Sequence, residues 1–217
     1  MEINNMGLKE KAMGLKEKSK NIKLVISDLD GTLTDGIYQV SEDNKVIKSF
    51  FTRDFHYIGK LLDCGIAFLI LTKANDDCGV MQYKRLPYMR NDLFFIKSGA
   101  SDKSSYIEQN LVNSNNMNPF DCVADDSNLT ASTIIKCNPF INDNAITWDS
   151  IAYIGDADND LASMKLAAIT GCPADAEDAV KNESNFISIC PGGRGAVADF
   201  IKYLLMLRDV SGKPPIA

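Results

Sequence analysis

Ser27-Asp28-Leu29-Asp30-Gly31-Thr32-Leu33-Thr34-Asp35-Gly36 follows directly on the apolar run Leu24-Val25-Ile26. A short continuous apolar run is what a strand buried on both faces requires. An acidic, glycine-bearing turn at its end places two carboxylates where that strand leaves the sheet. Along an extended chain Asp28 and Asp30 point the same way, and a turn at Gly31 can re-aim the second. Working outward, the same text recurs. Ile66–Leu71, Leu93–Ile96 and Ile151–Ile154 read as further buried strands, Ala168–Thr170 and Phe186–Ile189 as two short ones. Helices are expected over Asp54–Cys64 with Gly65 as the stop, from a Ser101 cap to about Val112, from about Asn159, and over Gly195–Arg208. Strands alternating with helices predict an α/β, Rossmann-like open parallel sheet with helices on both faces. Ile37–Val40 and Lys45–Phe50, joined by Ser41-Glu42-Asp43-Asn44, break the rhythm as a β-hairpin flap.

Ligands of open α/β sheets bind at the carboxyl ends of the strands. Two carboxylates there suit a hard cation such as Mg²⁺, with one left for acid–base work. Three more elements each follow an expected strand. Thr72 offers a hydroxyl after Leu71, Lys103 an ammonium near a helix start, and Gly155-Asp156-Ala157-Asp158-Asn159-Asp160 more carboxylate after Ile154.

The chain has 217 residues, with 23 Lys plus Arg against 29 Asp plus Glu, a net charge of −6. It lacks the basic excess a nucleic-acid partner demands, whereas one metal ion can invert the local field for a phosphorylated small molecule. No apolar run reaches the roughly 18–20 residues that crossing a bilayer takes, so no membrane association is expected. Six scattered cysteines without a C-x-x-C read as reduced thiols of a cytoplasmic protein. Residues 1–20 carry MGLKEK twice, at Met6–Lys11 and Met13–Lys18, and read as a frayed charged helix or tail. One domain is expected over 21–209, interrupted by an Asn/Asp-rich insertion at 112–149 and followed by a tail at 210–217.

Asp28-x-Asp30, Thr72, Lys103 and Gly155-Asp156-x-x-x-Asp160 together resemble the four motifs of the haloacid-dehalogenase superfamily of phosphotransferases, over about Lys23 to Arg208. The likeness is closer to one branch, the phosphatases of 3-deoxy-octulosonate 8-phosphate and of nonulosonate (sialic-acid-type) 9-phosphates. Asp28–Gly36 is similar to its D-x-D-G-x-x-T-D-G, Arg53-Asp54 to its R-D segment, Pro173–Ala176 to its P-A-D-A, and Gly192–Val197 to its G-G-R-G-A-V.

The resemblance implies that Asp28 attacks phosphorus and forms an aspartyl-phosphate. Asp30 would protonate the leaving sugar oxygen and then take a proton from the attacking water. Mg²⁺ would be held by Asp28, the Asp30 carbonyl and Asp156. Thr72 and Lys103 would bind the non-bridging oxygens, with Asp160 and Asn159 supporting the site from behind. Thr34, Asp54, Lys73 and Arg194 are substrate-binding candidates. The stretches 31–71 and 73–102 are used up by the hairpin, helices and strands, so no cap domain fits. In this branch capless subunits form tetramers through their hairpins, which assigns 37–50 to a homo-oligomer interface and Arg194 to a neighbour's site.

Lys73 stands where the branch has Gly, Ala74 where the octulosonate enzymes have Arg and nonulosonate enzymes often Glu, and Tyr57 where a Gly is expected. The phosphoryl-transfer set is intact. The expected activity is a phosphomonoesterase on a phosphorylated keto-deoxy sugar acid. A nonulosonate 9-phosphate phosphatase is the alternative sugar reading, and a non-catalytic assembly module of a sugar-acid cytidylyltransferase system the alternative of another class. His56, the single histidine, is not needed by this chemistry.

Overall fold

The computed structural model describes residues 2–75, 93–112 and 146–208, with side chains from residue 10 onward except Lys11. Its centre is a six-stranded, all-parallel sheet of β1 (Leu24–Ser27), β4 (Ala67–Leu71), β5 (Phe94–Lys97), β6 (Ile151–Ile154), β7 (Ile169–Cys172) and β8 (Phe186–Ile187), in the order β5-β4-β1-β6-β7-β8. From β1 the chain runs first to β4 and β5 on one side, then to β6, β7 and β8 on the other. The strand order therefore reverses at β1, the place where an open α/β sheet leaves a crevice. Leu24 pairs with Ala67 on one flank and Ile151 on the other, so β1 is central and buried along its whole length. This is why it reads as an unbroken apolar run rather than an alternating one.

Helix α1 (Glu2–Asn21) precedes the sheet, and α2 (Thr52–Asp63), α3 (Lys103–Ile107), α4 (Leu161–Leu166), α5 (Asp178–Glu183) and α6 (Ala196–Arg208) intervene or follow. In α2, Asp54, Phe55, Ile58, Leu61 and Leu62 are buried at i, i+3, i+4, i+7 spacing, the stripe that faces a core. Each such apolar side chain contributes roughly 1.5–3 kcal/mol by leaving water. Helix α2 packs on α6, and the Asp54 Oδ1 accepts the Ala198 amide of α6 at 2.7 Å. That bond satisfies one of the amides a helix start leaves unpaired.

Several elements differ from the sequence reading. The N-terminal segment is a helix whose final turn is docked: Ser19 and Ile22 are buried, and an Arg208 guanidinium nitrogen donates to the carbonyls of both, at 3.1 and 2.8 Å. Asp102, not Ser101, caps α3. Its carboxylate accepts from the Ser105 amide and from the Ser104 and Ser105 hydroxyls, three donors that a shorter hydroxyl cannot all reach. The helix then continues in π geometry over Glu108–Val112. Helix α5 was not expected from the pattern. The hairpin is short, β2 (Gln39–Val40) paired antiparallel with β3 (Val46–Ile47), and Ile37, Tyr38, Val40 and Ile47 on it are exposed. Between Gly31 and Leu71 there are only this hairpin, α2 and β4, so no cap stands between those two motifs. The helix expected between Lys73 and Leu93, most of the 112–149 insertion, Cys78, Cys122, Cys137 and the 210–217 tail lie outside the described residues. Ile146 and the 3₁₀ turn Trp148–Ser150 lead into β6 as part of the core. No helix among the described residues is long and apolar enough to cross a membrane.

Candidate active site

Asp28 is the first residue beyond β1. Its amide donates to the Ile154 carbonyl at 3.0 Å, which ties it to β6, and its side chain is buried. The Asp28 Oδ1 accepts from the Leu29 amide at 2.7 Å and from the Lys103 ammonium at 2.8 Å. Lys103, from the first turn of α3, also donates to the Asp160 Oδ1 at 2.7 Å. One ammonium thus joins the loop after β1 to the 3₁₀ turn after β6 across the crevice. Asp160 is held on both oxygens: Oδ1 also accepts from the Tyr153 hydroxyl at 2.7 Å, and Oδ2 from the amides of Asp156 and Ala157 at 3.1 and 3.3 Å.

Asp156 is placed by Thr32, whose hydroxyl donates to its Oδ1 at 2.7 Å. A Cβ on Gly31 would land on the other side of that carboxylate, so the glycine is what lets the two loops meet. Gly31 has φ +87°, a conformation that L side chains avoid. The Gly192–Gly195 loop packs from outside: the Gly193 amide donates to the Thr32 carbonyl at 3.0 Å, and a Cβ on Gly192 would collide with the Gly31 carbonyl.

Two buried carboxylates, Asp28 and Asp160, and the half-buried Asp156 around one ammonium leave an excess of negative charge. Burial, then the charge of Asp160, push the Asp28 carboxyl up to about 7 against the opposing pull of Lys103. Burial raises Asp156 to about 6, with Thr32 opposing and Asp160 adding to the rise. For Lys103, burial alone would lower its pKa, but Asp160 and Asp28 outweigh that and hold it above the ordinary lysine value. Asp28, Asp156 and Asp160 each offer an oxygen, all within 4.8 Å of one another. The donor set is all oxygen, hard and anionic, which suits a divalent cation of the Mg²⁺ type. With both oxygens of Asp160 committed, Asp28 and Asp156 are the carboxylates such an ion would use.

The neighbouring carboxylate goes elsewhere. Asp30 is half-buried and bound by Lys48 of the hairpin, whose ammonium lies 2.8 Å from each oxygen. Thr34 and Tyr38 hydroxyls donate to it at 3.3 and 3.4 Å. Asp28, Asp30, Tyr38, Thr72, Lys73, Ala74, Ala157 and Asn159 line an open cavity of about 290 Å³. Thr72 is buried, its hydroxyl accepting from the Ala74 amide at 3.1 Å.

Of the residues singled out from sequence, Asp28, Thr72, Lys103, Asp156 and Asp160 converge. Lys73 and Asn159 are exposed on the cavity wall, and Thr34 reaches Asp30. Two stand apart. Asp54 is wholly buried with Oδ1 given to α6 and Oδ2 unpartnered, so it serves the packing of two helices and not the cavity. Arg194 is exposed on the Gly192–Gly195 loop and does not line the cavity of its own chain. Thr32, Tyr38, Lys48 and Tyr153 escaped the sequence reading. Tyr153 is one of four consecutive buried positions of β6 and looks like core, and the hairpin residues carry no motif.

No family model matches the chain. Its sequence is 27% identical over 192 residues to the 3-deoxy-D-manno-octulosonate 8-phosphate phosphatase KdsC of Haemophilus influenzae, covering 88% of this chain and 87% of that one. It is 21% identical over 192 residues to N-acylneuraminate cytidylyltransferase B of Danio rerio, covering 88% of this chain but 38% of that protein. The fold matches the crystal structure of 3-deoxy-D-manno-octulosonate 8-phosphate phosphatase from Yersinia pestis with TM-score 0.67 at 21% identity, over 94% of this chain and 91% of the other. It also matches the Moraxella catarrhalis enzyme, in complex with magnesium ion, phosphate ion and KDO, with TM-score 0.66 at 22% identity, over 90% and 92%. In sequence and in fold the chain is similar to the KdsC-type phosphatases of the haloacid-dehalogenase superfamily, and it is a phosphoric monoester hydrolase.

Proposed function

We propose that this phosphatase hydrolyses a phosphorylated keto-deoxy sugar acid of the 3-deoxy-octulosonate 8-phosphate type in the cytoplasm, through an aspartyl-phosphate on Asp28. The observation that carries the reading is the buried Asp28 carboxylate lining the cavity, steadied through Oδ1 by the Leu29 amide and Lys103. Its attack on phosphorus would form the Oδ–P bond as the bond to the sugar oxygen breaks. Asp30, on the cavity wall two residues on, would give its proton to that oxygen and later take one from the water that cleaves the acyl-phosphate. Lys103 and Thr72 would hold the non-bridging oxygens as their charge is redistributed. Asp160, fixed by four donors, would keep Lys103 in place.

Asp28 and Asp156, with the Asp30 carbonyl, would hold a Mg²⁺ ion. When bound, that ion supplies positive charge that offsets the repulsion between carboxylate nucleophile and phosphate. One solved relative holds magnesium and another is a cobalt-bound form, which supports a divalent cation of this kind. The exposed apolar residues of the hairpin support a homotetramer joined through 37–50, because an isolated two-stranded hairpin is marginal without a partner. A neighbour's Arg194 would then close the capless site. The test is a phosphate-release screen with and without Mg²⁺, over octulosonate 8-phosphate, nonulosonate 9-phosphates and neutral sugar phosphates. Release from the first, abolished without metal, supports the reading; preference for the second moves the substrate to the alternative sugar. No release from any, with metal present, favours a non-catalytic assembly module.

A further inference from the structure

We infer that Lys48, seated by Tyr38, is the positioning residue for Asp30. The inference rests on the reading of Asp30 as the proton donor and acceptor.

Hairpin register sets up the arrangement. Gln39 pairs with Ile47 and Val40 with Val46, so the next rung toward the protein body brings Tyr38 opposite Lys48. Side chains facing each other across a rung interact directly. The Lys48 ammonium sits 4.7 Å from the centre of the Tyr38 ring, a cation–π distance, and 2.8 Å from both Asp30 oxygens. The Tyr38 hydroxyl reaches Asp30 Oδ2 at 3.4 Å. The Lys48 side chain is 1% exposed, although the strands that carry it are exposed on both faces. A lysine buried at the root of an otherwise solvated hairpin is there for its partner, since desolvating an ammonium without one is costly.

Asp30 follows a strand but lies in a turn, with no backbone amide on its carboxylate among the described contacts, unlike Asp28 with Leu29 and Asp160 with Asp156 and Ala157. Its aim comes from the hairpin. Contact with both oxygens fixes the plane of the carboxyl and lets the ammonium take up the charge left on it when Asp30 gives up its proton. As the Oδ–P bond to Asp28 forms and the ester P–O bond breaks, that proton passes to the leaving oxygen.

The measurement is kcat/KM, which reads steps through the first phosphoryl transfer, for phenyl phosphate and 4-nitrophenyl phosphate. Phenoxide is a poor leaving group that needs the proton; 4-nitrophenoxide hardly does. Lys48→Met is expected to lower kcat/KM for phenyl phosphate about tenfold or more and for 4-nitrophenyl phosphate less than about threefold, part of the roughly hundredfold a general acid supplies. Lys48→Arg, which keeps a cation on the carboxylate, recovers most of the phenyl phosphate rate. Tyr38→Phe shows the same asymmetry, smaller. Asp30→Asn is the reference. If Asp30→Asn shows no leaving-group dependence, the reading of Asp30 fails. If Asp30→Asn shows it but Lys48→Met slows both substrates equally or neither, the positioning role is overturned. Should thermal unfolding show that Lys48→Met does not fold, Lys48→Arg and Tyr38→Phe decide by the same ratio, and an unchanged ratio in Tyr38→Phe overturns the role.

Discussion

Asp28 and Asp30 lie two residues apart, and each is gripped by a buried lysine, yet the two grips have different foundations. Lys103 comes from a helix start packed into the sheet, and its partners Asp28 and Asp160 are tied to backbone amides of neighbouring loops. Lys48 comes from a hairpin of two two-residue strands whose outer side chains are exposed. The proposed nucleophile is therefore fixed by the same hydrophobic core that makes the fold, whereas the proposed proton carrier depends on an appendage that is stable only if something covers it. Chemistry adjacent in sequence is split between a rigid part and a conditional part of the molecule.

The sharpest way to break the rigid half is Asp28→Asn. A neutral amide of nearly the same shape cannot form the acyl-phosphate, so kcat is expected to fall by at least about a thousandfold, ~4 kcal/mol of barrier, while circular dichroism reports an intact fold. Next comes the cation. Chelation of divalent metal, or Asp156→Asn, is expected to lower phosphate release about a hundredfold or more, with Mg²⁺ restoring the chelated wild type but not the variant.

The conditional half gives smaller effects. Lys73→Ala and a neighbour's Arg194→Ala should each narrow the preference for a sugar acid over the matching neutral sugar phosphate by about one to two powers of ten in kcat/KM, the worth of one charge-assisted hydrogen bond. If neither narrows it, the carboxylate is read by another group. Ile47→Glu puts a charge into the exposed hairpin face. Light scattering should then show a smaller species, with kcat/KM reduced about three- to tenfold because Asp30 loses its support. A monomeric variant with full activity would separate the hairpin from the chemistry.

The smallest effect falls on stability alone. Burial raises the Asp54 carboxyl to about 6, opposed by the Ala198 amide. A carboxyl whose folded pKa lies above its unfolded value stabilises the fold fully below the unfolded pKa and loses that contribution as pH rises through about 6. Asp54→Asn keeps an acceptor for the Ala198 amide and no charge. It should raise Tm relative to wild type at pH 8 and not at pH 4, by up to about 3 kcal/mol of stability, without changing turnover.

The rigid half was legible in the sequence and the conditional half was not, for physical reasons. β1, β4, β5 and β6 are buried on both faces and write themselves as apolar runs; the residue after each run must sit at the sheet's carboxyl edge, so Asp28, Thr72 and Asp156 could be placed from order alone, and Lys103 with them as the opening residue of the helix after β5. That Asp160 supports the site from behind came with the family resemblance, and the structure places it on Lys103. By contrast, Lys48 meets Asp30 through a hairpin register that two-residue strands do not announce. The role of Asp54 depends on α2 lying against α6, a packing fact that no local pattern encodes. Thr32 and Tyr153 are invisible for the same reason: a buried hydroxyl in an apolar setting reads as core until its partner carboxylate is located. The docking of α1 likewise rests on Arg208, at the opposite end of the described chain.

The most direct test of the account is to catch the covalent intermediate. Wild-type protein is mixed with Mg²⁺ and excess octulosonate 8-phosphate, quenched in acid within one turnover, and its peptides weighed. The account predicts phosphoryl mass on the peptide bearing Asp28, absent from Asp28→Asn and more persistent in Asp30→Asn, which cannot activate the water. Substrate turnover with no phosphorylated peptide, or with the phosphoryl group on any residue other than Asp28, would contradict it.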